Sequence, residues 1–432
     1  MKKKENIENF RDLRMLSIMP LIIMVLDKIA ITIIKEKCKN KLTKNQYDAR
    51  ENHNVSTAKL ELLLQAKAEG LNKALLLDLQ KAFDTVKRDE LDVQLKIFCE
   101  NDQILYNMLK HILIIYQSIN YDICGTLIEP STGIPQGSVF GPTLFLIYIN
   151  ETIKQANRTL QNVAIEVFVD DCIIMSNDNS SLQITYDFFN YKINELGMKL
   201  NTNKCEVLSE MEQDIIIDKY TKVILNAKST AKYLGQNINQ RGEAASITSL
   251  NDKMRKKSII HDNTKNLSLR ARIKIYLMCV RSIFQYLLPL IAFTGKLEET
   301  WRNIRKSIFT DILNALSRES GTLLGLSFYN IIIKPIIKMT KRSVEENDSD
   351  EKIITFYKET IKQTFLVWLK VEPNNTKETL ILIDEFLTNG NLKSLETFDN
   401  IIYEEAAKRL YKDGQIPLEI KKLTNVNYKE SS

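Results

Sequence analysis

Three aspartates stand where their neighbours could put them to chemical use. Asp78 closes the short apolar run 73–79 (KALLLDL), and Asp170 with Asp171 interrupts the apolar stretch 163–175 (VAIEVFVDDCIIM). Taken singly, an aspartate at a strand end or in a tight turn is first of all a turn former, because its side chain bonds nearby backbone. The adjacent pair asks for more. Two unit charges about 4 Å apart repel by about 4 kcal/mol at an effective dielectric near 20. A bound cation, or protonation of one acid, has to offset that. The chain has 3 histidines, and its cysteines at 38, 99, 124, 172, 205 and 279 include no CxxC pair. Oxygen-only donors favour Mg²⁺ or Mn²⁺ over zinc. Two such ions about 3.5–4 Å apart suit in-line phosphoryl transfer, one activating the attacking hydroxyl and the other stabilising the leaving pyrophosphate. That chemistry needs Asp78 beside the pair, which an antiparallel sheet with the two strands adjacent would supply.

The surrounding pattern gives the elements that would hold these acids. Residues 58–70 read as a helix with Leu60, Leu63 and Leu64 on one face and Gly70 as its stop. Residues 73–79 read as a buried strand, and 163–175 as two strands joined by the acidic turn. The segment 89–118 is helical in pattern. Residues 123–145 carry Gly125, Pro130, Gly133, Pro135, Gly137, Gly141 and Pro142, the composition of a loop with a specific task. Residues 181–196 suit an amphipathic helix with Phe189, Ile193 and Leu196 in register and Gly197 as its cap. A strand is expected over 199–208. Beyond about residue 250 helical patterns dominate, with an acidic linker at 345–351 (EENDSDE) and a frayed end at 425–432.

Composition bounds the rest. The chain has 432 residues, 44% hydrophobic and 26% charged, enough to bury a large core and inconsistent with wholesale disorder. Scattered cysteines exclude a disulfide scaffold or zinc ribbon. The net charge of +6 is mild, so basic character is local. Residues 252–274 hold Lys253, Arg255, Lys256, Lys257, Lys265, Arg270, Arg272 and Lys274 against Asp252 and Asp262. That surplus equals the excess of the whole chain. It is either a solvated helix face or a surface that tracks phosphates. The apolar run from Met15 to Leu26 is broken by Asp27 and Lys28 and resumes from Ile29 to Ile34. It is short of a membrane span and reads as a buried helix of a soluble intracellular protein.

Five segments in order carry a family resemblance: DLQKAFDTV (78–86), GIPQGSVFGPTLFLIYIN (133–150), FVDD (168–171), GMKLNTNKCEVL (197–208) and YLGQNI (233–238). Their sequence and spacing resemble the palm motifs of reverse transcriptases, closest in flavour to the non-LTR retrotransposon type. Upstream, 14–28 and 45–57 resemble the fingers motifs written RPIS…K and QFGFR…ST. The resemblance spans roughly residues 10 to 290. It implies an α+β right-hand polymerase: fingers and an antiparallel-sheet palm over 1–240, a helical thumb over 241–330, and a helical region of unassigned role over 331–432. It implies RNA-templated DNA synthesis with two Mg²⁺ ions (Mn²⁺ as the alternative), on an RNA template and DNA primer with deoxynucleoside triphosphates. No membrane partner is implied, and the setting would be a nuclear or cytoplasmic ribonucleoprotein.

Residue by residue, the resemblance assigns Asp78, Asp170 and Asp171, with the Leu79 carbonyl, to the metals. It assigns Phe83 to the gate under the sugar, and Arg14, Arg50, Gln136 and Gly137 to the nucleotide pocket. Lys204 becomes the proton donor to pyrophosphate. Tyr233, Leu234 and Gly235 become the primer grip, and Lys253, Arg255, Lys256, Lys257, Arg270, Arg272 and Lys274 the thumb's phosphate contacts. The departures cluster in the fingers. QFGFR reads QYDAR here, with Asp48 and Ala49 replacing a glycine and an aromatic; the motif proline is Met15 and its lysine Met24. Gly141 stands for the usual serine before Pro142, and Phe168–Val169 for Tyr–Ala. The carboxylates are intact. A catalytically inactive nucleic-acid-binding protein on the same fold is therefore the rival reading. A viral-type RNA polymerase fits less well, because the turn is FVDD, and an intron-maturase-like role shares the same palm motifs. No cysteine–histidine knuckle, endonuclease signature or RNase H acid set is read in the sequence.

Overall fold

The computed structural model describes residues 17–38, 41–48, 53–118, 121–123, 126–128 and 131–243, with isolated positions farther on. Arg14, Arg50, the basic set at 253–274 and almost all of the expected thumb and C-terminal regions lie outside the described residues. The chain divides into two compact units: Met1–Ala58 with Glu69–Gly235 and Asn239–Gly242, and Lys59–Ala68 with Gln236–Ile238 and Glu243–Ser432. The acids and their surroundings lie in the first.

In chain order the elements are α1 (Leu21–Cys38), β1 (Gln46–Tyr47), α2 (Val55–Glu69), β2 (Lys73–Leu77), α3 (Arg88–Cys99), α4 (Gln103–Gln117), β3 (Tyr121–Ile123), β4 (Thr126–Ile128), α5 (Gly141–Thr159), β5 (Ala164–Phe168), β6 (Asp171–Ser176), α6 (Asn179–Glu195), β7 (Glu206–Leu208), β8 (Ile215–Ile217), β9 (Ile224–Lys228), β10 (Thr230–Tyr233) and β11 (Gln236–Asn239). A seven-stranded sheet runs in the order β1-β5-β6-β2-β7-β9-β8. Its centre, β5-β6-β2-β7, is antiparallel as expected for the palm, whereas β1 joins β5 and β9 joins β7 in parallel.

Strand periodicity separates the two faces of this sheet. Leu75 and Leu77, Ile165 and Val167, and Cys172 and Ile174 belong to one buried cluster with Phe145, Ile149 and Ile153 of α5 and Phe189 and Ile193 of α6. Leu76, Ile173 and Met175 point the other way, and by the same alternation so do Asp78 and Asp171. One face is thus packed under helices, and the acids emerge from the opposite one.

Several expectations need correction. The helical pattern over 89–118 is two helices. The chain breaks at Glu100, which takes φ 53°, and restarts at Asp102, whose side chain accepts the Leu105 N–H at 2.9 Å. The expected strand 199–208 shrinks to β7. Its front part is a turn that touches β2 through a Leu79–Leu200 bridge. The Pro/Gly segment 123–145 carries strand β4 at Thr126–Ile128, is loop from 131 to Phe140, and enters α5 at Gly141 with Pro142 in its first turn, in keeping with proline's fit there. The run after Pro20 is helical but not wholly buried. Met19, Ala30 and Ile34 pack inward, while Ile18 (98% exposed), Leu21, Ile22 and Ile29 are open. Among the described residues, no helix is long and apolar enough to cross a membrane.

Candidate active site

Register brings the three acids together. In the β2–β6 ladder Leu77 faces Cys172, so the next pair outward is Asp78 and Asp171. In the β5–β6 hairpin Phe168 faces Asp171, leaving Val169 and Asp170 as a two-residue loop. Val169 takes φ 56°, a region a β-branched residue rarely enters. A positive φ at the first loop position only is the pattern of a type II′ turn, whose hand matches the strand twist.

The electrostatics follow from this crowding. Burial, reinforced by the Asp170 and Asp78 charges and opposed by Lys204, pushes the Asp171 carboxyl up to about 6. Lys204 Nζ lies 3.4 Å from Asp78 Oδ1. Asn201 donates to Asp78 Oδ2 at 3.0 Å and its backbone N–H to the Asp78 carbonyl at 2.8 Å. Asp78 is therefore oriented by the turn before β7. Because that turn also accepts the Gln80 N–H at Lys199 O, 2.8 Å, strand alternation directs the Leu79 carbonyl to the other side, toward the acidic hairpin. Asp78, Asp171, Asn203, Lys204, Glu206, Lys232 and Tyr233 line a cleft of about 290 Å³. Asp170 instead borders a small apolar crevice with Leu79, Val169 and Leu200.

The donor set fits a hard divalent cation in kind: carboxylates and a backbone carbonyl, with excess negative charge that a cation would relieve. It is not a closed cage, since no group of three or more His, Cys, Asp or Glu side chains among the described residues is arranged to hold a metal ion.

A second group surrounds the turn that follows β2. The Phe83 ring stacks on Phe145 with centroids 5.0 Å apart and planes 22° from parallel. Phe83 and Val86 carbonyls accept the N–H groups of Ile134 (2.9 Å) and Gly133 (2.8 Å). Gln136 donates to Asp84 Oδ1 at 2.6 Å, and its carbonyl accepts the Ser17 N–H at 2.6 Å. Gly137 takes φ 124°, and a Cβ there would lie 2.3 Å from the Ser17 carbonyl oxygen, so glycine is required by close backbone approach. After Tyr233, which lines the cleft, Leu234 (φ 42°) and Gly235 (φ 75°) follow β10 as consecutive left-handed residues, a tight-turn signature.

Among the described residues, Asp78, Asp171, Lys204 and Tyr233 line one cleft, Asp170 borders the apolar crevice, and Phe83, Gln136 and Gly137 belong to the separate group around the turn after β2. Sequence reasoning missed Asn201, Asp84 and Lys232. Asn201 lies inside the segment 197–208 and Asp84 inside 78–86, each with the signal of a short polar side chain in a turn; Lys232 carried none.

An antiparallel sheet whose adjacent strands β2 and β6 bring Asp78 beside Asp171 has the form expected of a polymerase-type palm. The profile of the reverse transcriptase (RNA-dependent DNA polymerase) family matches residues 1–238, over half of the chain, and the protein belongs to that family. Among solved structures, apo telomerase from Candida tropicalis is similar at 10% identity and TM-score 0.44, over 84% of this chain and 60% of that one. Telomerase from Candida albicans in complex with a TWJ fragment of telomeric RNA is similar at 12% identity and TM-score 0.40, over 84% and 58%. The chain thus matches about three fifths of those proteins' length. A search of curated proteins gives no match.

Proposed function

We propose that this protein adds deoxynucleotides to a primer 3′-hydroxyl on an RNA template, by two-metal nucleotidyl transfer, as the product of a non-LTR retroelement acting within an intracellular ribonucleoprotein. The observation that carries the reading is the β2–β6 register that sets Asp78 beside Asp171 at the mouth of the cleft. Asp78, Asp170, Asp171 and the Leu79 carbonyl would hold the Mg²⁺ ions, which when bound supply charge neutralisation and activation of the attacking hydroxyl. The protein's own groups do the rest. Lys204, an ammonium beside Asp78, holds the proton offered to the departing pyrophosphate. Phe83, braced by Phe145, gives the sugar a flat wall. Gln136 and Gly137 present a side-chain amide and a bare backbone to the base and sugar. Tyr233 through Gly235 and the basic stretch at 253–274 follow the nucleic-acid backbone.

One observation favours the rival reading, an inactive nucleic-acid binder: the Ser17 backbone lies against Gly137, where the polymerase reading needs bare backbone open to a nucleotide. Primer extension separates the two. Purified protein with poly(rA)/oligo(dT), dTTP and Mg²⁺ is compared with the Asp170→Ala, Asp171→Ala double variant. Extension by the parent that vanishes in the variant is expected. No extension, with salt-sensitive primer–template binding retained, refutes the polymerase reading and supports the binder.

A further inference from the structure

The loop from Gly133 to Phe140 is held by more than the turn it lines. Midway along α1, Asp27 is 2% exposed, and a buried carboxylate persists only where donors satisfy it. Two donors from separate elements converge on one of its oxygens. Tyr116 of α4 donates its hydroxyl to Oδ2 at 2.7 Å, and the backbone N–H of Val139 donates to the same Oδ2 at 3.2 Å. The Tyr116 hydroxyl is itself within hydrogen-bonding reach of the Ser138 side chain and the Phe140 backbone, and its burial raises its pKa. Ser138 Oγ in turn accepts the Gly141 N–H at 2.9 Å where α5 begins. Val139 stands two residues after Gly137 and three after Gln136. The chain just before α1 grips the same loop a second time, through the Ser17 N–H on the Gln136 carbonyl. Helix α1 and the chain before it thus hold the loop that carries Gln136 and Gly137.

We propose that Asp27 is a positioning residue for the nucleotide pocket, acting through the Val139 amide and Tyr116 to hold Gln136 and Gly137 in place. The proposal rests on the polymerase reading for its kinetic consequence and on the geometry alone for its structural one. Because both bonds meet at a single oxygen, the carbonyl of an asparagine, with two lone pairs, can accept both. Alanine can accept neither. The charge itself is not required; the acceptor is.

The test uses the full chain and two readouts. Hydrogen exchange is followed for the peptide 134–140, with β2 and β6 peptides as internal reference, in the parent, Asp27→Ala and Asp27→Asn. The KM for dTTP and the kcat per active site are then measured by primer extension for the same three proteins. Asp27→Ala is expected to speed exchange of 134–140 alone and to raise the KM on the order of tenfold, the scale of one lost hydrogen bond to a charged group. The kcat per active site stays near the parent's, and Asp27→Asn restores both readouts. A merely structural role would lower the active fraction without moving the KM. If Asp27→Ala does not fold, Tyr116→Phe removes one of the two donors and serves in the same comparison. Parental exchange in 134–140, or an opened loop with a parental KM, overturns the proposal. A parent that does not extend primers, together with a loop that opens in Asp27→Ala, removes the polymerase reading and leaves Asp27 as the loop's anchor. A parent that extends, with a variant indistinguishable from it, does the reverse.

Discussion

Replacing Asp171 with asparagine should make the protein more stable while removing its acid. The carboxyl is pushed up to about 6 from an ordinary 3.8, first by burial and then by the charges of Asp170 and Asp78. The folded chain therefore holds this proton more tightly than the unfolded chain does. The stabilisation from that proton is fully present below pH 4 and is lost as pH rises through about 6. A shift of about two units corresponds to about 3 kcal/mol at most. Water at the cleft mouth lowers it, so about 1–3 kcal/mol is the expected gain for Asp171→Asn at pH 7.5 in EDTA. For a domain of this size each kcal/mol moves the Tm by about 2–4 °C. Thermal unfolding followed by circular dichroism at pH 7.5 and at pH 4, for parent and variant, reads the effect. The gain should be present at the higher pH and absent at the lower one. Adding Mg²⁺ at pH 7.5 should narrow it, because an ion that binds only the folded parent raises the parent's stability. A variant no more stable than the parent at pH 7.5, or equally improved at both pH values, refutes the reasoning that burial, reinforced by the neighbouring charges, holds the proton on Asp171.

Two further outcomes follow from particular contacts, and a third from the basic stretch of the sequence. Gly137→Ala puts a methyl 2.3 Å from the Ser17 carbonyl at φ 124°, and should cost about 2 kcal/mol or more in urea unfolding; an unchanged midpoint would show that the Ser17 segment yields freely. Phe83→Ala removes the ring stacked on Phe145; it should raise ribonucleotide incorporation relative to deoxynucleotide in a gel extension assay, and cost about 1–3 kcal/mol of stability. Neutralising Lys256 and Lys257 together to glutamine should weaken primer–template binding and flatten the plot of log affinity against log salt by about 2, if each meets a phosphate; an unchanged slope assigns the pair to a solvated surface.

The acids were legible in the sequence because their signal is local. An apolar strand ending in aspartate and a paired aspartate between apolar runs each need only a few residues to be seen, and the ladder then closes on Asp78 and Asp171 as the pattern requires. The amphipathic α6 was legible for the same reason: Phe189, Ile193 and Leu196 are all buried. What escaped lacked a period or a local partner. Helix α5 is buried on every side from Leu144 to Asn150, so it shows no polar stripe to mark it as a helix, and the preceding glycines and prolines hid its start. Asn201 and Asp27 act across 123 and 112 residues of chain, on Asp78 and Val139, and no spacing rule reaches that far. The β8 and β9 strands at the sheet's end are short, and residues 199–205 look like a strand in composition but turn instead so that Asn201 can meet Asp78.

The hairpin that carries two of the acids shows why the site tolerates a strained residue. A type II′ turn favours glycine at its first loop position, yet Val169 occupies it at φ 56°. Such a conformation costs on the order of 1–3 kcal/mol and persists only where surrounding structure imposes it. Here that structure is on the packed face. Val169 is 8% exposed and lines the crevice with Leu79, Leu200, Phe189 and Ile193, so its side chain is held by burial on the order of 1.5–3 kcal/mol. The two energies are of the same size. Packing beneath the turn offsets the backbone strain, and the turn stays two residues long. A longer, relaxed loop would let Asp170 swing away from Asp171 and relieve their repulsion. The short turn keeps Asp170 next to Asp171, whose carboxyl is raised first by burial and then by the Asp170 and Asp78 charges.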